Sequence, residues 1–272
     1  MKKTLCTIII ALVSLSITAC NESSASIDVQ NSSAINTIPE QTPYAIATTF
    51  IPYNDVQITH EILTPEKPSR KIALTFDDGP STYTDSILDL LYLYDGRSTF
   101  FVSPHRMLER PNTVQRAFDM GNEIANHSWS HRDFRALTDD EIASEIQSAS
   151  EAIVSVVGVS PPLFRPPFGM SDERVVEISA DLGYAIVKWT LDPIDWRYRD
   201  ADIIYNTIMN EVEPGAIILV HDTRPTTAEA MRRVISSLVA EGFELITVSE
   251  LLYYLYGGIE YGKIYGTYTI LD

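Results

Sequence analysis

The chain has 272 residues, 45% of them hydrophobic, which is enough to bury a sizeable core and excludes a globally disordered polypeptide. Its 20 basic residues stand against 37 acidic ones, a formal net charge of −17, so the basic footprint that phosphate backbones require is missing and nucleic acid is excluded as a partner. The length is generous for an ordinary domain but fits a single α/β barrel, and the acidic field suits a neutral or cationic substrate.

The amino terminus, "MKKTLCTIIIALVSLSITAC", reads as a targeting segment. Lys2 and Lys3 form a positive start, and Leu5 to Ile17 is an apolar stretch shorter than the roughly 20 residues of a comfortable membrane span. Its end, "ITAC", resembles a bacterial lipobox. That resemblance implies that residues 1–20 act as a lipoprotein signal peptide and that Cys20 becomes the lipidated first residue of an exported, membrane-anchored protein of the cell envelope. A plain secretory signal cut nearby, or a retained anchor, are the alternatives. The other cysteine, Cys6, lies inside the removed segment, so no internal disulfide is expected. Residues 21–49, rich in Ser, Thr, Asn and Gln with little periodicity, read as a flexible tether.

From about residue 50, strand-like runs alternate with helical patterns. "KIALTF" is a continuous apolar run, as expected of a strand covered on both faces. "TYTDSILDLLYLYD" has helical spacing, with Ile87, Leu90, Leu91 and Tyr94 on one side. "STFFV" is the next strand, and "PNTVQRAFDMG" opens with Pro and closes with Gly, as helices prefer. "NEIANHS" is a strand; the long helix that follows starts with Thr138 and Glu141 at capping-box spacing and ends at Gly158. "PLFRPP", "YAIVKWTL", "AIILVHD" and "FELITV" are further strands, separated by the helical "DERVVEISADLG", "DADIIYNTIMNEVE" and "AEAMRRVISSLVAEG". "SELLYYLY" closes the domain at residue 256, and the Tyr- and Gly-rich residues 257–272 read as an extended tail packed on the barrel. The alternation predicts an α/β fold with a parallel sheet and outer helices, and about seven or eight strand candidates favour a barrel, whose chemistry gathers at the C-terminal strand ends.

Five polar clusters fall at such ends. "LTFDDGP" runs an apolar strand into adjacent carboxylates, Asp77 and Asp78, an arrangement that costs stability unless the two do different work. "NHSWSH" carries His127 and His131, whose four-residue spacing predicts both on one face of a helical turn, close enough to share a metal. With one carboxylate they make a three-ligand site, leaving the other aspartate as a base and removing the objection to paired negative charge. "FRPPFG" carries Arg165, able to clamp a carboxylate; "LDPIDW" carries Asp192, Asp195 and Trp196; "ILVHD" carries His221. Singly, each has an ordinary structural explanation, such as a surface ion pair for Arg165 or a core position for Trp196. Jointly they outline the mouth of an active site.

"TFDDGP", "HSWSH", "RPPFG", "DPIDW" and "LVH", in this order across residues 70–250, resemble the five motifs of the polysaccharide deacetylases, the NodB-homology or carbohydrate esterase family 4 enzymes. The resemblance implies a distorted (β/α) barrel over residues 50–256. It implies Asp78, His127 and His131 as ligands of one divalent metal ion, zinc by ligand type, with cobalt, iron or manganese as alternatives. Asp77 is then the catalytic base and His221 the acid, Arg165 orients Asp77, and Asp192 tunes His221. Pro167, Phe168, Trp196 and Leu219 line the groove for a GlcNAc-containing glycan. A tyrosine is commoner in the family where Phe168 stands. The backbone N–H expected to meet the oxyanion is kept, and a hydroxyl contact is not. The expected reaction is metal-assisted hydrolysis of N-acetyl groups on chitin oligosaccharides, peptidoglycan or poly-N-acetylglucosamine. An O-acetyl esterase, a non-catalytic glycan-binding lipoprotein and a non-haem iron oxygenase are the competing readings.

Overall fold

The computed structural model describes residues 70–266. The expected signal peptide with Cys20, the tether, the first residues of the 50–256 domain and the last six residues of the tail lie outside them.

Among the described residues, eight strands alternate with eight α-helices. The strands are β1 (Arg70–Asp77), β2 (Thr99–Val102), β3 (Glu123–Asn126), β4 (Leu163–Phe164), β5 (Ala185–Val187), β6 (Ile217–His221), β7 (Phe243–Leu245) and β8 (Ile264–Tyr265). The helices are α1 (Thr84–Leu93), α2 (Pro104–Glu109), α3 (Pro111–Asp119), α4 (Asp139–Val157), α5 (Glu173–Asp181), α6 (Ala201–Glu211), α7 (Pro225–Ala240) and α8 (Val248–Tyr256). The sheet runs β6-β1-β2-β3-β4-β5-β8, every named pairing parallel, while β7 pairs with the first half of β1. A bridge from Leu191, just past β5, to Ile218 of β6 brings the two sides of the curled sheet together as a distorted barrel.

The alternation along β1 explains the curl. Ile72, Leu74 and Phe76 point outward into a cluster with Ile87, Leu88 and Leu91 of α1 and Met231, Val234 and Leu238 of α7. Ala73 faces inward with Phe101, Ala125, Leu163, Ala185, Val187 and Ile217. A run apolar on both faces is therefore needed, as the continuous "KIALTF" requires. A third cluster, under α4 and α5, joins Phe134, Ile142, Ile146, Phe164, Val175 and Ile186.

Local rules set several boundaries. Thr138 and Glu141 form the reciprocal capping box at the start of α4, and Gly158 ends the helix at φ 75°, a conformation that suits glycine. β4 is only two residues long because Pro166 and Pro167 have no N–H to offer a ladder. α2 escapes the periodicity reading because six residues are too few to display a helical repeat. Within the segment read as a tail, Ile264 and Tyr265 pair with Ile186 and Val187 and add a strand beside β5. Among the described residues no helix is long and apolar enough to cross a membrane.

Candidate active site

Every functional segment named from the sequence sits at, or just past, the C-terminal end of a strand. Asp77 is the last residue of β1, and its register partners are Phe101 on β2 and His221 on β6. His127 follows Asn126, the end of β3, which pairs with both Val102 and Phe164. Arg165 directly follows β4.

The paired aspartates are separated by the backbone. Asp78 has φ 70°, so the chain leaves the extended conformation between the two side chains. Asp77 stays on the inner face of β1, where its Oδ1 accepts a 2.7 Å bond from Nη1 of Arg165. Asp78 turns to the histidines: its Oδ1 lies 3.5 Å from Nε2 of His127 and 3.3 Å from Nε2 of His131.

One ligand atom each from Asp78, His127 and His131 falls within 4.8 Å of the others. The donor set, two imidazole nitrogens and one carboxylate, is that of a divalent transition-metal site with open positions. His127 Nδ1 lies 2.8 Å from the carbonyl oxygen of Arg165, which takes the ring proton on that side and leaves Nε2 free toward Asp78. These residues therefore fit the implied metal ion.

The electrostatics agree with a cation-seeking site. Burial works against ionisation of Asp78, but the hydrogen bond and charge of His127, with His221 and His131, hold its carboxyl far below the usual carboxylate range. Burial also works against a charge on His127, yet Asp77 and Asp78 raise its pKa. Burial and the neighbouring His127 lower that of His131.

The expected helical turn across His127 and His131 does not form. Residues 127–133 make an irregular loop, with Ser128 at φ 68° and His131 at φ 55°. The two rings meet edge to face at 5.1 Å through this loop rather than by i,i+4 stacking on a helix.

Arg165 is not the surface ion-pair residue of the ordinary reading: it is wholly buried inside the barrel. Its guanidinium lies 4.0 Å from the ring centre of Phe101 and bonds Asp77, Thr75 Oγ1 and the carbonyls of Val187 and Lys188. Each of its three nitrogens makes a hydrogen bond, which is how a buried cation becomes tolerable.

His221 is tuned by a different aspartate from the one expected. Its Nδ1 lies 2.7 Å from Oδ1 of Asp195, and its backbone N–H donates to Oδ2 of the same residue. Thr227, on α7, donates to that oxygen as well. Burial would lower the His221 pKa, but the Asp195 hydrogen bond and charge lift it to about 9. Asp192 instead accepts the backbone N–H of Ile194 and, at 3.4 Å, the indole N–H of Trp196. It shapes the loop that brings Asp195 in and braces an indole that is half exposed. "DPIDW" contained both aspartates, and spacing alone did not separate them.

The groove residues divide by exposure. Trp196 and Phe168 are open to solvent, whereas Pro167 and Leu219 are buried, Leu219 on the same face of β6 as His221. Phe168 has φ 59°, and its ring meets His131 edge to face at 4.8 Å. Asp222, next to His221, went unnoticed in the sequence. It is fully buried against Gly79, where any side chain would run into its carboxyl group, and it accepts the Thr84 hydroxyl.

Fold and site together define a parallel-sheet scaffold with a candidate metal-binding triad, Asp78, His127 and His131, beside Asp77 and His221 at one mouth. The polysaccharide deacetylase family profile matches residues 64–187. A peptidoglycan-N-acetylglucosamine deacetylase of Bacillus cereus is 34% identical over 72% of this chain and 93% of its own length. The chain belongs to the polysaccharide deacetylase family. The peptidoglycan-N-acetylmuramic acid deacetylase PdaC of Bacillus subtilis is 38% identical over 71% of this chain and 42% of its own length. Its solved structure covers 68% of this chain and 90% of the PdaC chain in that structure, with a TM-score of 0.65. A family pseudoenzyme from Bacillus anthracis aligns at 30% identity over 68% of this chain and 66% of its own, TM-score 0.64. The chain spans less than half the length of the longer curated relatives it matches.

Proposed function

We propose that this protein is a metal-dependent hydrolase that removes N-acetyl groups from a GlcNAc-containing glycan of the cell envelope. The observation that carries the reading is the convergence of Asp78, His127 and His131 beside an Asp77–His221 pair at one register level. The relatives' names as peptidoglycan deacetylases support the substrate class and an extracytoplasmic location. A lipid on Cys20 would hold the enzyme at the membrane.

Asp78, His127 and His131 would hold the divalent ion, zinc by donor type, with cobalt, iron or manganese as alternatives. When bound, the ion supplies Lewis acidity, polarising the acetyl carbonyl and easing deprotonation of water. Asp77 acts as the base through Oδ2, since Oδ1 is committed to Arg165. Arg165 fixes that carboxylate in place and balances its charge inside the barrel. His221, kept protonated at neutral pH and anchored at Nδ1 by Asp195, donates from Nε2 to the departing nitrogen. Phe168 offers its backbone N–H to the developing oxyanion, and Trp196 and Leu219 border the sugar and its acetyl methyl.

Pseudoenzymes occur on this scaffold, but here each proposed role is filled by a chemically competent side chain. The deciding experiment measures acetate release from chitin oligosaccharides, peptidoglycan, poly-N-acetylglucosamine and acetylated xylan, after chelation and again with metal restored. Metal-dependent release from an N-acetylated glycan is expected. Release from xylan alone would establish the O-acetyl esterase reading, and glycan binding without release would establish the non-catalytic one.

A further inference from the structure

The loop between the two histidine ligands has neither helix nor strand to hold it, and two of its residues, Ser128 and His131, sit at positive φ. Such conformations cost free energy in non-glycine residues and persist only when surrounding contacts over-determine them. The middle of the loop is held by one side chain on α4. Glu145, nearly fully buried, accepts the backbone N–H of Trp129 at 3.0 Å and that of Ser130 at 2.8 Å, both at Oε2. Its other oxygen, Oε1, accepts the Ser130 hydroxyl.

Neighbouring bonds complete the fastening. Asn126 donates from Nδ2 to the carbonyl of Ile146, the residue after Glu145, and accepts the N–H of Ser128. The Ser128 hydroxyl in turn accepts the N–H of His131 at 3.1 Å. α4 is itself immobilised by its capping box and by the packing of Ile142, Ile146 and Ala149.

We propose that Glu145 is a positioning residue for the metal centre: it clasps the 128–131 loop so that His131 is already placed for the ion before the ion arrives. This rests on the metal reading above. The physical reasoning is preorganisation. Without the clasp, the backbone N–H groups of Trp129 and Ser130 lose their acceptor and the loop relaxes toward ordinary φ values. The cost of re-forming the left-handed turns is then charged to metal binding.

The test is metal affinity, measured with Zn2+ against a chromophoric chelator competitor on the full chain, alongside thermal unfolding of the metal-free protein. Glu145→Ala is expected to weaken Zn2+ binding by about 10- to 100-fold, the range typical of residues that orient metal ligands. Glu145→Gln, which keeps one acceptor, falls between it and the wild type. Ser130→Ala changes an exposed side chain that removes a single bond and leaves the fold intact; a smaller weakening, about 2- to 10-fold, is expected. Ile153→Val, elsewhere on α4, is the control: it lowers thermal stability without changing Zn2+ affinity. A purely structural Glu145 would lower unfolding temperature and leave affinity at the wild-type value in both the Ala and Ser130 variants, which overturns the proposal. Failure of the wild type to bind Zn2+ at all is a different result and removes the metal reading on which the proposal stands.

Discussion

Asp77 and His221 are register partners on the adjacent parallel strands β1 and β6. One strand pairing thus sets the separation of the proposed base and acid, and it does so inside the most extensively paired part of the sheet. Asp77→Asn keeps the shape and the Arg165 contact but cannot accept a proton. It is expected to lower kcat by about 10²- to 10⁴-fold while Zn2+ binding, measured by chelator competition, stays near wild type. Turnover close to that of the wild type would remove Asp77 from the role of base.

Asp195 prepares the proposed acid, His221. With His221 lifted to about 9, it is protonated, and so competent, through neutral pH. Asp195→Asn preserves an acceptor for Nδ1 but removes the negative charge, so the His221 pKa falls. Because the acid must carry its proton, activity is then lost at lower pH. The alkaline limb of the kcat/KM profile should move acidward by about one to two pH units. The same substitution at Asp192 should move that limb much less, because Asp192 reaches His221 only through charge at a distance and makes its hydrogen bonds to Ile194 and Trp196.

Arg165 links structure and chemistry. Replacing it with methionine leaves Asp77 as a buried carboxylate without its ion-pair partner and strands the carbonyls of Val187 and Lys188. A loss of about 3–5 kcal/mol in unfolding free energy is expected, read from urea titration, together with loss of acetate release. A stability change under 1 kcal/mol would mean that the barrel interior admits water around Asp77.

The sequence carried the architecture because the apolar runs and turn residues have short periods: β1, the α4 capping box and the strand ends bearing Asp77, His127, Arg165 and His221 could all be read from it. It carried the ligand types for the same reason, since chemistry is written in residue identity. What it could not carry is direction. The four-residue spacing of His127 and His131 suited a helical turn, but Ser128 and His131 adopt left-handed backbone on either side of Trp129 and Ser130, whose N–H groups bond Glu145, fourteen residues beyond His131. Choosing between Asp192 and Asp195 needed the loop path that places Asp195 beneath His221. Arg165 was legible as a clamp on a carboxylate, but its depth was not, because a buried guanidinium is identified only by its partners, which come from three other segments.

Asp222 supplies a prediction that separates folding from catalysis. Burial lifts its pKa to about 7; the Thr84 hydrogen bond opposes that rise and the negative charge of Asp78 adds to it. An unfolded aspartate ionises near pH 4. Between these values the folded chain holds one proton more than the unfolded chain. The stability from this group is therefore complete below about pH 4, declines as pH rises, and levels off above about 7. The slope is at most about 1.4 kcal/mol per pH unit. Asp222→Asn can still accept the Thr84 hydroxyl but has nothing to titrate. Urea unfolding of the metal-free protein at several pH values should show wild-type stability falling relative to the Asn variant between pH 4 and 7, and running parallel to it above. Parallel curves across the whole range would mean that Asp222 is ionised in the fold at all of these pH values, and that the space beneath Gly79 contains a counter-charge for it.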